Sequence, residues 1–149
     1  MSATGLDVFD KTLQTTNVWL NEIGETLGPD RQRNYHALRA VLFALRDRLT
    51  PEEAFHLSAE LPMLVRGVFW ESYRPSGKPE RYRARDEFLE KVQDGLGQMA
   101  PMNAEDCARA VFGVLERHVP KGEIEDVRHM LPEDVRTLFP EMPDEARPR

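Results

Sequence analysis

The second half of the sequence repeats the first half, and this repeat limits the possible folds more than any other feature. Residues 39–71 laid over residues 109–141 without a gap give 11 identities in 33 aligned positions. We call this alignment the repeat register. Self-similarity at a fixed, ungapped spacing is typical of duplicated structural units, so we interpret the chain as a tandem duplication. The identical positions, numbered in the first copy, are Arg39, Ala40, Val41, Leu45, Glu53, Leu61, Pro62, Val65, Arg66, Phe69 and Glu71.

The spacing of apolar residues inside the repeat is typical of helices. After Asp30, a residue type that caps helices, apolar side chains recur at steps of three and four as far as Leu49. The segment Thr50-Pro51-Glu52-Glu53 places a capping hydroxyl before a proline and a glutamate, so a new helix begins there. Leu61-Pro62 ends or kinks that helix, because proline has no amide hydrogen. The 16 leucines and 16 glutamates, against two isoleucines, also favour helix over sheet.

We predict an all-α fold: a single domain of about eight helices, built from two pseudo-symmetric four-helix halves that share a core. Half-repeat one spans about residues 6–73, a connector spans 74–79 and half-repeat two spans about 80–141. A single core is marginal in a unit as small as one half, so the halves should pack together. Residues 142–149 lack apolar periodicity and are predicted to form a flexible tail.

Upstream of the ungapped region, the first helix aligns differently. Phe9 and Leu13 resemble Phe88 and Val92, an alignment shifted by nine positions from the repeat register. This shift predicts that the extra length of the first half lies in residues 19–29, before its second helix.

Charge and cysteine content narrow the classes of function. Twenty basic residues against 26 acidic residues give a net charge of −6, whereas nucleic-acid-binding proteins usually carry a basic surface. The single cysteine, Cys107, excludes an intrachain disulfide and any zinc site with several cysteines. No apolar run reaches the roughly 18 residues of a membrane span, and the N-terminus lacks the regions of a signal peptide. We expect a cytoplasmic protein with no membrane partner.

Several segments, taken in their combined order, resemble a known family. The resemblance is to the bacterial family called domain of unknown function 2267, and it covers about residues 6–141. It implies an all-helical fold of two related halves and a bacterial cytosolic setting, and it implies no activity, cofactor or catalytic residue. The segments are Arg39-Ala40-Val41-Leu42, Leu45-Arg46-Asp47-Arg48-Leu49, Glu52-Glu53-Ala54, Leu61-Pro62, Phe69-Trp70-Glu71, Phe88-Leu89 and the segment ending in Leu131-Pro132.

Two carboxylate and imidazole pairs, Glu53 with His56 and Asp126 with His129, have the one-turn spacing used in di-iron carboxylate bundles. In the repeat register, however, His56 lies opposite Asp126 rather than His129, and other helices offer no clear bridging glutamates. We interpret both pairs as solvated helix faces and predict no metal and no cofactor. Cys107 has no histidine adjacent in sequence and is predicted to be a small buried residue rather than a nucleophile. No catalytic residue is predicted.

Three charged positions recur in both halves, and we interpret them as structural braces. Two halves that diverge elsewhere need not both keep a catalytic site, whereas both must keep their packing. In each half, the glutamate is predicted to form a partly buried ion pair with one of the two arginines. The candidate braces are Arg39, Glu53 and Arg66 in the first half and Arg109, Glu123 and Arg136 in the second.

Two aromatic residues at the end of the first half have no aromatic counterpart in the second. Trp70 and Tyr73 align with Pro140 and Pro143. Trp70, Tyr73 and the adjacent Arg74 combine large apolar area with polar groups, the composition of binding hot spots. We interpret this cluster as a candidate interaction surface. The alternative is that both rings cover the joint between the halves.

The sequence thus predicts a non-enzymatic protein-interaction module, with an unknown protein partner or with a second copy of itself. The alternative is a ligand-binding protein or an enzyme whose pocket lies between the halves. A deep pocket with converging ionisable groups favours that alternative, and a flat apolar patch favours a partner protein. A weaker alternative is nucleic-acid binding by the basic segment 74–85, in which arginines surround Tyr82.

Overall fold

The computed structural model describes residues 2–98 and 101–141, and over these residues the chain forms eight α-helices and no strand. The predicted all-α class is confirmed. The predicted tail, residues 142–149, lies outside the described residues. The helices are α1 (Asp7–Leu27), α2 (Arg31–Arg48), α3 (Pro51–Ala59), α4 (Met63–Trp70), α5 (Arg85–Leu96), α6 (Ala104–His118), α7 (Lys121–Met130) and α8 (Glu133–Arg136).

Two helices begin at the capping signals of the sequence. At the start of α2, the side chain of Asp30 accepts hydrogen bonds from two backbone N–H groups at 3.0 and 3.3 Å. At the start of α3, Thr50 Oγ1 accepts a hydrogen bond from Glu53 N at 3.1 Å, and Pro51 is the first helical residue. These bonds satisfy N–H groups that have no partner within the helix itself.

The helix bounds follow the repeat register of the sequence. The helices α2 and α6 end at equivalent positions, while α3 and α7, and also α4 and α8, begin at equivalent positions. Pro62 and Pro132 directly precede α4 and α8 with similar backbone angles, φ −57° and ψ 150° against φ −55° and ψ 144°. The repeat is therefore present in the local structure. The superposition of the complete halves stays a prediction.

Both halves contribute side chains to one continuous core. The helix α2 contacts α1, α4, α5 and α6, so helices of both halves surround it. In the second half, the Phe112 ring stacks on Phe139 with centroids 4.2 Å apart and lies 5.7 Å from Phe88. A joint core is what halves of this size need for stability. Within the described residues, no helix is both long and apolar enough to cross a membrane.

The register predicted between α1 and α5 is wrong. Phe88 and Val92 on α5 are fully buried, whereas Phe9 and Leu13 on α1 are 45% and 39% exposed. The first buried residue of α1 is Trp19, which lies six residues after Leu13. The aromatic and aliphatic residues that begin α1 therefore do not take the place of those that anchor α5.

When Gly28 is aligned with Gly97, the buried residues Trp19 and Ile23 of α1 fall opposite the buried residues Phe88 and Val92 of α5. These glycines follow the two helices with φ of 106° and 64°, and such a positive φ strains any residue other than glycine. The extra length of the first half therefore lies at the start of α1, within residues 7–18, and not in residues 19–29. We call residues 7–18 the α1 extension, and none of them is buried.

Candidate functional site

Each half joins its third and fourth helices at a leucine-proline junction, and a cavity opens beside each junction. Beside Leu61-Pro62 lies an apolar groove between the α1 extension and α4. Beside Leu131-Pro132 lies a cleft lined by several charged residues. We call these two sites the apolar groove and the charged cleft.

The apolar groove has two connected parts. The outer part has a volume of about 340 Å³, and an inner part of about 360 Å³ continues it toward α2. Leu13 and Leu64 line both parts, so the two form one trough. The outer walls are Phe9, Thr12 and Leu13 of the α1 extension and Met63, Leu64 and Gly67 of α4.

Polar contacts hold the α1 extension over α4. Leu64 N donates a hydrogen bond to Thr12 Oγ1 at 3.1 Å, which joins the two walls of the groove. At the outer end, Asp10 accepts hydrogen bonds from Thr4 N at 3.0 Å and from Thr4 Oγ1 at 2.8 Å. Hydrogen bonds from the side chains of Ser2 and Thr4 lower the pKa of Asp10, so this end of the groove carries a stable negative charge.

The exposed apolar side chains concentrate in the two chain segments that form this groove, and four of them, Phe9, Leu13, Met63 and Leu64, line it. Eight large apolar residues are exposed in the described part of the chain, and seven of them lie in segments 6–18 and 63–64. Contiguous exposed apolar surface marks interaction sites, whereas single exposed apolar residues are ordinary. Phe55 on α3 is such a single residue. The seven are Leu6, Val8, Phe9, Leu13, Val18, Met63 and Leu64.

The charged cleft has a volume of about 730 Å³ and is built from three segments of the chain. Arg48 comes from the end of α2, Arg83 from the segment before α5, and Arg136 from α8. Glu133 and Asp134 also line the cleft, and its remaining walls are Met130, Leu131, Pro132 and Thr137.

Hydrogen bonds to backbone atoms fix two of these arginines. Arg48 Nε donates to Tyr82 O at 2.9 Å, and its guanidinium lies 5.4 Å from the centre of the Tyr82 ring. Arg136 Nε donates to Leu131 O at 3.1 Å. Asp134 Oδ2 accepts a hydrogen bond from Arg85 N at 2.9 Å, which satisfies part of that carboxylate.

The two cavities use equivalent positions of the repeat with opposite chemistry. Three residues of the apolar groove, Met63, Leu64 and Gly67, correspond in the repeat register to Glu133, Asp134 and Thr137 of the charged cleft. One junction has therefore acquired an apolar surface and the other a polar one. The alternative raised from the sequence, a pocket between the halves, matches the position of the charged cleft, which joins Arg48 of the first half to residues of the second. Sequence reasoning did not predict the lining residues of either cavity, although this change of polarity between aligned positions was a signal that could have indicated them.

The structure brings together the predicted surface residues Trp70 and Tyr73 but covers both in part. The Trp70 ring meets Phe69 at 5.0 Å and Tyr73 at 4.9 Å, centroid to centroid. The guanidinium of Arg46 lies 5.3 Å from the Tyr73 ring, and burial raises the pKa of Tyr73. Arg74 is exposed. These contacts favour packing within the first half, and a partner-binding role for the cluster stays a prediction.

The predicted pairing of the repeated charges is wrong. Across residues 2–98 and 101–141, neither Glu53 nor Glu123 has an arginine within 4.0 Å. Arg39 approaches Glu71 at 3.9 Å instead, and Arg109 pairs with Glu105 at 2.9 Å on its own helix. The physical reason is that the arginines bind other acceptors, carboxylates for Arg39 and Arg109 and backbone carbonyl groups for Arg66 and Arg136, while the two glutamates lie on α3 and α7, which contact each other.

Arg66 and Arg136 are braces of another kind, because they bind backbone carbonyl groups. Arg66 Nη2 donates to Leu61 O at 2.9 Å and to Ala59 O at 3.3 Å. Arg136 donates to Leu131 O at 3.1 Å and, through Nη2, to His129 O at 3.2 Å. The acceptors occupy equivalent positions of the repeat, so each arginine satisfies carbonyls at the C-terminal end of the preceding helix.

Carboxylates from α3 and α7 face each other, but they do not form a metal site in the part of the chain that the structure describes. Burial and the nearby carboxylates of Asp126 and Glu53 raise the pKa of Glu123. Cys107 is buried, as predicted, and burial raises its pKa to about 11. A thiol with this pKa is protonated at neutral pH and is a poor nucleophile.

The basic segment 74–85 offers little for stacking nucleic-acid bases. The Tyr82 side chain is only 7% exposed, and Tyr73 is half-buried beneath Arg46. A single-strand binding site needs aromatic faces that are open to the bases. The structure therefore weakens the nucleic-acid alternative on physical grounds.

The fold and its two cavities define an all-α bundle protein. The family model described as "Uncharacterized conserved protein (DUF2267)" matches residues 16–138. The chain belongs to this family. No curated protein matches the chain. The matched range contains all lining residues of the charged cleft, but it begins after Phe9, Thr12 and Leu13 of the apolar groove.

Proposed function

We propose that the protein is a non-enzymatic interaction module and that its apolar groove pairs two copies of the chain. The observation that carries this proposal is the position of seven of the eight exposed large apolar residues in two segments, 6–18 and 63–64, of the described chain. Burial of apolar surface contributes about 25 cal/mol of favourable free energy per Å² removed from water. A concentrated apolar surface therefore favours association.

The second half supports this proposal as an internal comparison. Glu133 and Asp134 begin α8 at the positions where Met63 and Leu64 begin α4. Acidic residues in the first turn suit a helix, because they complement the positive end of its dipole. The helix start therefore does not require apolar residues at these positions. Part of each side chain faces the α1 extension, and the fractions that stay exposed, 47% for Met63 and 41% for Leu64, are available for contact with another molecule.

The charges at the two ends of the groove favour a second copy as the occupant. Asp10 is hydrogen-bonded to Thr4 at the outer end, and Arg31 lines the inner end. In a twofold dimer the same patch meets itself in antiparallel orientation, so Asp10 of each copy comes opposite Arg31 of the other. The apolar α1 extension of each copy would then lie along the groove of the other, in the manner of helix-in-groove recognition.

The oligomeric state of the full chain tests the proposal. We expect a dimer that dissociates on dilution, measured by sedimentation equilibrium. The double variant Met63→Glu, Leu64→Asp introduces residue types that the second half already carries at equivalent positions, and we expect it to be monomeric with an unchanged helix content. Val18→Glu is the matched control, because Val18 is 46% exposed but does not line the groove. It should dimerise like the wild type.

A charge exchange tests the antiparallel arrangement. Arg31→Glu and Asp10→Arg should each weaken the dimer, because like charges then meet at both ends. An equimolar mixture of the two variants restores both attractive contacts and should form a heterodimer. A wild type that stays monomeric up to about 100 μM, the weak end of specific association, overturns the proposal. A mixture that associates no better than either variant alone also contradicts it.

A further inference from the structure

We infer that the charged cleft binds the oxyanion group of a small organic molecule, a phosphate or a carboxylate. This site is separate from the apolar groove and does not depend on the function proposed for that groove. Its volume of about 730 Å³ is in the range of small-molecule sites, which span about 300 to 1,000 Å³.

The first argument is the positive charge that the cleft gathers. Arg48, Arg83 and Arg136 reach it from three separate segments of the chain. Counting only the residues that the structure describes, none of the three forms an ion pair within 4.0 Å. The guanidinium group presents several donors in a plane and matches the oxygens of phosphate and carboxylate.

The acidic residues of the cleft leave part of this charge uncompensated. Glu133 and Asp134 both line the cleft, so three positive charges face two negative ones. Asp134 already accepts a hydrogen bond from Arg85 N at 2.9 Å. Arg85 itself pairs with Glu105 and therefore adds little positive charge to the cleft. The balance favours an anion, and Glu133 should oppose its binding.

The walls indicate that the anion is attached to an apolar body. Met130, Leu131 and Pro132 line the cleft beside the arginines. A site with a few placed polar groups and apolar walls is typical of small organic ligands rather than of free inorganic ions. At the equivalent junction of the first half, Met63 and Leu64 stand in place of Glu133 and Asp134, so the acidic residues are specific to the second half, whereas Arg136 recurs as Arg66.

Titrations of the full chain followed by two-dimensional NMR test the inference. The probes are phenyl phosphate, benzoate and the neutral compound benzyl alcohol. We expect saturable shifts of the amide signals of Arg83 and Thr137 with phenyl phosphate, benzoate or both, at dissociation constants near the millimolar range. The preferred anion identifies the group, phosphate or carboxylate. We expect no saturable shifts with benzyl alcohol.

Three variants separate a built site from general attraction to basic residues. Arg83→Gln should weaken anion binding about tenfold, the loss expected for one hydrogen bond to a charged group. Glu133→Gln should strengthen it. Arg81→Gln is the matched control, because Arg81 belongs to the same basic segment but does not line the cleft, and it should leave the affinity unchanged.

Three results would overturn the inference. The first is an absence of saturable shifts with both anions. The second is equal binding of benzyl alcohol, because the arginines would then play no part in recognition. The third is an Arg81→Gln variant that loses as much affinity as Arg83→Gln, because attraction to the basic segment would then explain the binding.

Discussion

Leu64 N donates a hydrogen bond to Thr12 Oγ1 at 3.1 Å, and this bond joins α4 to a part of α1 that has no counterpart in the second half. Leu64 is the second residue of α4, and the first N–H groups of a helix have no acceptor within it. Thr12 therefore acts on α4 as a cap supplied by another helix. The same contact keeps the two walls of the apolar groove together.

We expect Thr12→Val to lower the free energy of unfolding by about 1 kcal/mol, because it keeps the side-chain shape but leaves the Leu64 N–H group without its acceptor. Hydrogen exchange at the Leu64 amide should become faster. Thr15→Val is the control, since Thr15 Oγ1 donates only to Lys11 O within the same helix. Equal effects of both variants on Leu64 exchange would show that the contact does not hold the extension.

The backbone contacts of Arg66 and Arg136 lead to a second prediction. Arg66→Met removes donors to the carbonyl groups of Ala59 and Leu61, and Arg136→Met does the same at the equivalent position. We expect each substitution to lower the free energy of unfolding, measured with urea, by about 1 to 2 kcal/mol. Glu53→Gln should change stability much less, because no arginine pairs with Glu53 in the described chain. If Glu53→Gln destabilised the protein as much as Arg66→Met, the result would support the ion pair predicted from the sequence.

The features predicted well from sequence are those set by neighbouring residues. The cap at Thr50, the proline at Pro62 and the spacing of apolar residues all act within one or two helical turns, and each is found where the sequence indicates it. Because the halves share identical residues, the predicted starts of α3 and α4 also predict the starts of α7 and α8. Local chemistry and the repeat together predict most of the fold.

The register of α1 was not predictable in this way. Phe9 with Leu13 and Trp19 with Ile23 share the same spacing, one helical turn, so both pairs fit the pattern of a buried helix face. Which pair is buried depends on where other helices cover α1. Trp19 stacks on His118 of α6, with ring centroids 5.5 Å apart. The residue pattern of α1 alone does not indicate this contact.

The lining residues of the candidate sites were not predicted, for the same reason. The charged cleft gathers residues from three segments, and its arginines are as far apart in sequence as Arg48 and Arg136. The paired charges were predicted from their recurrence in the repeat, but recurrence does not distinguish an arginine that binds a carboxylate from one that binds a carbonyl group. Arg66 and Arg136 both bind backbone carbonyl groups, a different acceptor from the one predicted, and their role as structural braces stays a prediction.

The contact between α1 and α6 predicts a pH dependence of stability. Glu22 accepts a hydrogen bond from Arg117 at 2.7 Å and also contacts His118 Nε2. Burial alone would raise the pKa of Glu22, but the hydrogen bonds from Arg117 and His118 outweigh it and hold the pKa below the ordinary value of 4.5. A lowered pKa in the folded state means that Glu22 contributes stability above about pH 4.5 and loses that contribution as the pH falls further.

We therefore expect Glu22→Gln to lower the free energy of unfolding by about 1 kcal/mol at pH 7, a moderate value because Arg117 is exposed and screened by solvent. At pH 3 the difference from the wild type should shrink. Urea unfolding measured across this pH range provides the test. Glu90→Gln, an exposed site on α5 that forms no ion pair among the described residues, should show neither effect. A difference that stays constant with pH would exclude ionisation of Glu22 as its cause.

The last prediction separates packing from partner binding at Trp70 and Tyr73. Trp70 meets Phe69, and Tyr73 lies beneath the guanidinium of Arg46, whose Nη1 donates to Phe69 O at 2.7 Å. We expect the double variant Trp70→Ser, Tyr73→Ser to lose about 3 kcal/mol in urea unfolding, in the range for removing buried aromatic side chains. Its association measured by sedimentation should match the wild type at temperatures where it is folded.

Phe55→Ser is the matched control for this test, because Phe55 is an aromatic residue that is 65% exposed. Its loss of stability should be small, since little apolar area returns to water. If the double variant instead keeps its stability and no longer associates, Trp70 and Tyr73 form the partner surface predicted from the sequence. Because the apolar groove and this cluster are altered by different substitutions, the two surfaces can be assigned separately.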